Sequence, residues 1–161
     1  MKVPLMLFVI VSALVVDQLT KAFALSLLLA GMPLSVLPGF NLTLGFNEGA
    51  SFGMWSGVMA GKPLVMVGIT GLLTLGLAVI AFRSQDLLER AGCALIVGGA
   101  LGNIFDRVRQ GAVTDFLDFY WRDWHWPTFN FADISIFLGA LFILVAALSS
   151  PRRKNSDIDQ N

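Results

Sequence analysis

Long apolar runs, separated by shorter polar segments, set the pattern of this chain. Residues 63–82 form a 20-residue run without a charged side chain, and about 20 mostly apolar residues are enough for a helix to cross a bilayer. Three further runs, at 3–30, 87–105 and 131–148, each include or adjoin polar side chains. The pattern therefore predicts four membrane-spanning helices.

Two segments between these runs lack the helical pattern. In the segment 38–61, apolar and polar side chains alternate from Phe40 to Leu44, which favours a short strand at the membrane surface. The segment 109–128 is rich in aromatic residues, and Trp and Tyr concentrate at the headgroup level of a bilayer. The aromatic side chains of this segment are Phe116, Phe119, Tyr120, Trp121, Trp124 and Trp126.

The pattern as a whole predicts an all-α membrane protein, a single domain over residues 1–161, with a small extracytoplasmic β-cradle and an interfacial aromatic loop. Hydrophobic residues make up 56% of the chain and charged residues 14%, with no net formal charge. The chain as a whole therefore has no net basic field to attract nucleic acid. The N-terminal run contains an Ala-Phe-Ala sequence at 22–24 typical of a cleaved signal peptide, but apolar residues continue to Ala30, so we expect a retained helix.

The charges beside the predicted helices indicate the orientation of the chain. An even number of spans places both termini on the same side of the membrane. The cluster Arg152, Arg153 and Lys154 assigns that side to the cytoplasm, because segments rich in Lys and Arg stay inside. Both polar segments then lie at the outer face.

Ionisable side chains within membrane segments are costly, and they therefore mark candidate functional positions. The predicted topology places six of them in the outer half of the bilayer or at its outer surface. They are Asp17, Lys21, Asp106, Arg107, Asp115 and Asp133.

Two carboxyl groups that share a site can hydrolyse a peptide bond. Their repulsion keeps one of them protonated, so that the ionised carboxylate accepts a proton from water while the protonated one donates to the carbonyl. Spacing alone does not select the pair, since Asp106, Asp115, Asp118, Asp123 and Asp133 all lie between the last two predicted helices or at their ends. Asp115 and Asp133 have the most apolar neighbours and are the preferred candidates.

Other kinds of site fit the residues less well. One histidine and one cysteine form no metal-ligand pattern, and His125, among tryptophans, is interpreted as a polar interfacial side chain. Residues 49–53 match G-x-S-x-G, but this motif requires a strained turn and a nearby base. Outside peptide hydrolysis, the carboxylates could serve a transporter or proton relay, and Gly98 and Gly102 could pack a non-catalytic assembly protein.

Five blocks in order along the chain resemble the lipoprotein signal peptidase (signal peptidase II) family. They are DQLTK at 17–21, NEGASF at 47–52, GGALGNIFDR at 98–107, VTDF at 113–116 and FNFAD at 129–133. The resemblance implies that Asp115 and Asp133 are the catalytic aspartates. It also implies supporting or substrate-binding roles for Asp17, Lys21, Asn47, Gly49, Asn103, Asp106, Arg107 and Asn130.

The resemblance further implies the reaction. An aspartic endopeptidase of the bacterial cytoplasmic (inner) membrane would remove the signal peptide from a prolipoprotein whose lipobox cysteine carries diacylglycerol, cutting just before that cysteine. We expect contact with membrane lipids and, because acid–base chemistry by two carboxyls needs neither, no metal and no cofactor. The resemblance also implies sensitivity to cyclic peptides of the globomycin type. Both termini would be cytoplasmic and the active site would lie near the outer face.

Overall fold

The computed structural model describes Met1 and residues 3–49 and 62–149. Within this part of the chain, four helices are long and apolar enough to cross a membrane. They are α1 (Val3–Leu27), α2 (Pro63–Arg83), α3 (Leu87–Gln110) and α4 (Phe131–Ser149). The four predicted spans are thereby confirmed, although α3 continues beyond its predicted end at residue 105 to Gln110.

An antiparallel sheet of four strands accompanies the helices, in the order β1-β2-β3-β4. Its strands are β1 (Leu34–Leu37), β2 (Phe40–Asn47), β3 (Val113–Trp121) and β4 (Trp124–His125). The predicted short strand is part of β2. Much of the predicted aromatic loop is β3, whose first six residues are all buried, and for that reason its sequence does not alternate between apolar and polar side chains.

A tight connection joins α3 to β3. Gly111 ends the helix with a φ of 82°, a left-handed conformation that glycine adopts without strain, and its N–H donates to the Arg107 carbonyl at 3.1 Å. The chain then enters β3 at Val113, so the last turn of α3 lies beside the start of the strand. Across the sheet, Asp115 of β3 pairs with Gly45 of β2.

Helix α3 packs against each of the other three helices, and glycines bring the backbones close together. A Cβ on Gly98 would lie 2.7 Å from the Ile10 carbonyl oxygen of α1, and one on Gly99 would lie 2.5 Å from the Ala132 carbonyl oxygen of α4. No real Cβ tolerates such distances, so larger residues would push the helices apart. Close backbone approach at small residues is a common way of joining helices in lipid.

Candidate active site

The charges of α1 are buried inside the protein. Lys21 Nζ lies 2.8 Å from Asp17 Oδ2, one turn earlier, and 3.0 Å from Asp106 Oδ2 on α3. The same nitrogen donates to Asn103 Oδ1 at 2.9 Å. Lys21 thus has an acceptor for each of its three N–H donors, and Asp106 has a cationic partner inside the protein.

The side-chain amide of Gln18 joins α1 to α3. Gln18 was not among the site residues predicted from the sequence. Its Nε2 lies 3.1 Å from both Asp17 Oδ2 and Asp106 Oδ1. A Cβ on Gly102 would overlap the Asp17 carboxylate, so glycine at this position leaves room for the network. An amide inside an apolar helix has no partner in lipid, and this signal could have identified Gln18.

Asp17 also reaches the beginning of α4. Its Oδ1 accepts a hydrogen bond of 2.9 Å from the Ala132 N–H, one of the helix N-terminal donors that lack a partner within the helix. Asn130 and Asp133 satisfy each other in the same turn: the Asp133 N–H donates to Asn130 Oδ1 at 3.1 Å, and the Asn130 N–H donates to Asp133 Oδ2 at 3.3 Å. This reciprocal arrangement is a capping box, and it holds the Asp133 carboxylate at the helix end.

Asp115 lies on β3 with only 2% of its surface exposed. Its Oδ1 accepts a hydrogen bond of 2.6 Å from Asn130 Nδ2, and its Oδ2 accepts one of 3.2 Å from Asn47 Nδ2. Burial, followed by the charge of Asp133, raises the pKa of Asp115 to about 7, against the opposing effect of these two hydrogen bonds. The Asp115 carboxyl is therefore partly protonated near neutral pH.

Two asparagines connect the two candidate catalytic carboxyls. Asn130 contacts Asp115 through its side chain and Asp133 through its backbone. Asn103 Nδ2 donates to Asp133 Oδ1 at 3.2 Å, while its Oδ1 accepts a hydrogen bond of 3.3 Å from Asn130 Nδ2. Asp115 and Asp133 therefore share one hydrogen-bonded cluster, which extends through Asn103 to Lys21.

The end of β2 is held against the same cluster. The Gly49 N–H donates to Asn47 Oδ1 at 3.0 Å, and the Gly49 carbonyl accepts a hydrogen bond from Arg107 Nη2. Arg107 is buried in the last turn of α3, where it braces the segment that carries Asn47. All the positions that the family resemblance implied are thus joined in one network.

Asp118 and His125 lie in a separate cluster. Asp118 is buried, accepts a hydrogen bond of 3.2 Å from Asn41 Nδ2, and lies 2.8 Å from His125 Nδ1. His125, predicted as an interfacial polar side chain, also stacks on Tyr120. Within residues 3–49 and 62–149, no three His, Cys, Asp or Glu side chains are grouped so as to hold a metal ion. The Ser51 candidate and the cationic cluster at 152–154 lie outside the described residues.

Comparison with known proteins places the chain in a family. A sequence model of the family described as signal peptidase (SPase) II matches residues 9–149. The chain belongs to the signal peptidase II family. The Asp115, Asp133 and Asn130 cluster lies within the part of this signal peptidase II chain that the family model matches.

Individual relatives cover nearly the whole of this signal peptidase II chain. The lipoprotein signal peptidase of Aeromonas hydrophila subsp. hydrophila is 40% identical over 153 residues, which are 92% of this chain and 91% of the relative. That of Syntrophus aciditrophicus (strain SB) is 39% identical over 165 residues, covering 96% of this chain and 100% of the relative. A solved structure of a bacterial membrane enzyme is 28% identical with a TM-score of 0.83, covering 98% of this chain and 96% of that one.

Proposed function

We propose that this chain is a lipoprotein signal peptidase that cuts a prolipoprotein just before its diacylglyceryl cysteine, with Asp115 and Asp133 as the catalytic pair. The observation that carries the proposal is a buried Asp115 carboxyl, with a pKa of about 7, that shares Asn130 as a hydrogen-bond partner with Asp133. Membership of the signal peptidase II family supports the reaction, and the hydrogen-bond network supports the residues.

The two carboxyls have different roles in the proposed mechanism. Asp133 lies in the first turn of α4, where the helix dipole and the capping hydrogen bonds favour a negative charge, and it accepts a proton from the attacking water. Asp115 carries the proton and donates it to the carbonyl oxygen of the scissile bond as the carbon becomes tetrahedral. When the C–N bond breaks, the proton held by Asp133 passes to the leaving amine and Asp115 recovers its own proton from the collapsing intermediate.

The proposed mechanism assigns binding and bracing to the other side chains. Asn47 and Asn130 orient the Asp115 carboxyl through its two oxygens. Lys21 pairs with Asp17 and Asp106, whereas Asp115 receives its hydrogen bonds from amides and forms with Asp133 the pair that exchanges protons. Because the donors to the pair come from β2, from α3 and from the residue directly before α4, the pair is preorganised by several elements.

The proposed location follows from where the site lies along each helix. Lys21 is near the C-terminal end of α1, Arg107 is in the last turn of α3 and Asp133 is in the first turn of α4, so the site occupies one end of the bundle. With both termini in the cytoplasm, this end is the outer face of the bacterial inner membrane. A diacylglyceryl cysteine would hold its scissile bond at that level, and a cyclic peptide of the globomycin type would compete for the same site.

Substitution of each aspartate tests the proposal. Asp115→Asn and Asp133→Asn keep the side-chain shape but remove the titratable oxygen, and each should lower kcat by about 10²–10⁴-fold. The losses should not multiply in the double variant, because the pair acts as a unit. Asp118→Asn is the matched control, since Asp118 is also buried on β3 but contacts His125 and Asn41 instead.

The measurement is cleavage of a diacylglyceryl prolipoprotein by purified variants whose thermal unfolding matches the parent. Retained turnover in Asp115→Asn or Asp133→Asn would reject the pair. Loss in Asp118→Asn alone would move the chemistry to the His125 cluster.

A further inference from the structure

An apolar groove begins at Asp133, one member of the proposed catalytic pair, and runs along α4. Its cavity has a volume of about 250 Å³. Asp133 lies at one end, and the side chains that follow it on the helix extend away from the site toward the middle of the membrane. The lining residues are Trp126, Phe129, Asp133, Ile134, Phe137 and Leu138.

We infer that this groove binds one acyl chain of the substrate's diacylglyceryl group, an inference that rests on the proposed function. The lipidated cysteine directly follows the scissile bond, so its thioether must lie within a few atoms of the catalytic carboxyls. An acyl chain attached to a cysteine beside Asp133 would enter the groove at its polar end. From Asp133 to Leu138 the helix descends about 7–8 Å at 1.5 Å per residue, which a chain can follow into the hydrocarbon.

The groove suits an acyl chain better than an extended peptide. Below Phe129 it is lined by one face of a helix, whose backbone donors and acceptors are already used within α4, and an extended peptide would have no hydrogen-bond partners there. An acyl chain needs none, and each buried methylene group contributes favourable transfer free energy. Phe137 is 67% exposed in the protein alone, and the proposed chain would cover part of it.

A second apolar cavity is less suited to this role. It has a volume of about 200 Å³ and lies between α1 and the sheet, with Phe23, Leu27 and Leu34 among its lining residues. Neither Asp115 nor Asp133 lines it. A chain attached beside the scissile bond therefore reaches the α4 groove first.

Filling the groove tests the inference through chain length. Leu138→Trp should raise the KM of a substrate with long acyl chains by about tenfold, the loss expected for roughly two unburied methylene groups, with kcat changed by less than about twofold. A substrate with short acyl chains should lose less. Leu72→Trp on α2, at a position that is 72% exposed, is the control and should leave both KM values unchanged.

A second variant, with a wider groove, tests the inference if Leu138→Trp does not fold. Phe137→Ala should reduce the advantage of long chains over short ones by about tenfold, because it removes one wall of the groove. Equal losses for both chain lengths, or losses that follow changes in the apolar part of the signal peptide instead, would show that the groove binds peptide and would overturn the inference.

Crosslinking gives a measurement that does not depend on turnover. A prolipoprotein with a diazirine in its acyl chain, bound to Asp115→Asn and irradiated, should attach to Phe137 or Leu138. Attachment at Phe23 or Leu27 would assign the chain to the other cavity and overturn the inference. Continued cleavage by Asp115→Asn would instead reject the catalytic pair, and the crosslink would still locate the chain.

Discussion

Asp115 receives its hydrogen bonds from two neutral amides, whereas Asp17 and Asp106 each have the Lys21 ammonium within 3.0 Å. A neutral donor stabilises a carboxylate less than a cation does. Burial and the neighbouring charge of Asp133 therefore raise the pKa of Asp115 against only weak opposition from its hydrogen-bond donors. The same feature makes two measurable predictions.

Cleavage should depend on the proton that Asp115 carries. With the pKa raised to about 7, the protonated form is lost as the pH rises through that value, so kcat/KM should fall by about tenfold per pH unit above it. The measured midpoint belongs to the coupled pair of carboxyls. Rates measured across this range, with Asp118→Asn giving the same profile as the parent, would bear this out. A rate that stays level to about pH 9 would contradict the assignment of Asp115 as the acid.

The free energy of unfolding should also depend on the proton at Asp115. Here the Asp115→Asn variant should gain relative to the parent as the pH rises. Between 3.8, the ordinary value, and about 7, the folded chain holds a proton at Asp115 that the unfolded chain has released. The free energy of unfolding therefore falls as the pH rises through this window, by at most about 1.4 kcal/mol per unit. Asp115→Asn lacks this loss, so its stability relative to the parent should improve from about pH 4 to about pH 7. Thermal unfolding in detergent at several pH values measures the difference, and a constant difference would contradict the burial of an ionisable Asp115.

The sequence points most clearly to single residues where a side chain would be costly to place in lipid. A charge in an apolar run, such as Asp17 or Lys21, is conspicuous without knowledge of its partners. Apolar neighbours alone made Asp115 and Asp133 the preferred candidates among five carboxyls, and the family resemblance implied the same two. Their hydrogen-bond partners could not be predicted, because these come from distant parts of the chain. Asn47 and Asn130, for example, meet at Asp115 only when β2 and α4 pack beside β3.

At the scale of elements, the helices were predicted more accurately than the connections between them. The hydropathy pattern predicted that α3 ends at residue 105, because hydropathy treats each side chain as if it were surrounded by lipid. Asp106 and Arg107 remain helical because Lys21 and Gly49 supply partners for them inside the protein. Strand β3 was hidden for a related reason, since Asp115 and Asp118 are buried polar residues within it and interrupt the apolar pattern.

The contact between α1 and α3 provides a prediction at this scale. Gly102→Ala should place a methyl group on the Asp17 carboxylate and lower the free energy of unfolding by about 1–3 kcal/mol, as overpacking does. Displacement of Asp17 would also weaken its hydrogen bond to Ala132, so cleavage should fall as well. Gly76→Ala on α2, where a Cβ meets nothing within 4 Å, is the control. It should leave cleavage unchanged and should not lower the free energy of unfolding, because alanine favours a helix over glycine. Thermal unfolding and turnover of the two variants give the comparison, and equal behaviour would show that the α1–α3 contact is not tight.

At the scale of the whole molecule, the four helices and the sheet leave the site at one end of the bundle, and the orientation of that end remains a prediction from charge. Asp123→Cys lies in the turn between β3 and β4, and Ser156→Cys lies in the C-terminal segment. In intact cells, an impermeant thiol reagent should label the first and not the second. Native Cys93 is buried and serves as the unlabelled background. Labelling of Ser156→Cys from outside would invert the topology and place the site on the wrong side for the proposed reaction.

The spacing of Asp17 and Lys21 has a consequence for how the chain is made. The two residues lie one helical turn apart on α1, so they can pair as soon as that helix forms, before ribosomes have synthesised Asp106 or Asn103. A helix that carries both members of the ion pair enters the bilayer with no net charge from them. Inserting the pair therefore costs less free energy than inserting either charged group alone. When α3 arrives, its Asp106 and Asn103 can bind the Lys21 donors that Asp17 leaves open. We therefore expect the first helix to provide a docking point for the third during biogenesis, with the same ion pair easing insertion and then holding α3.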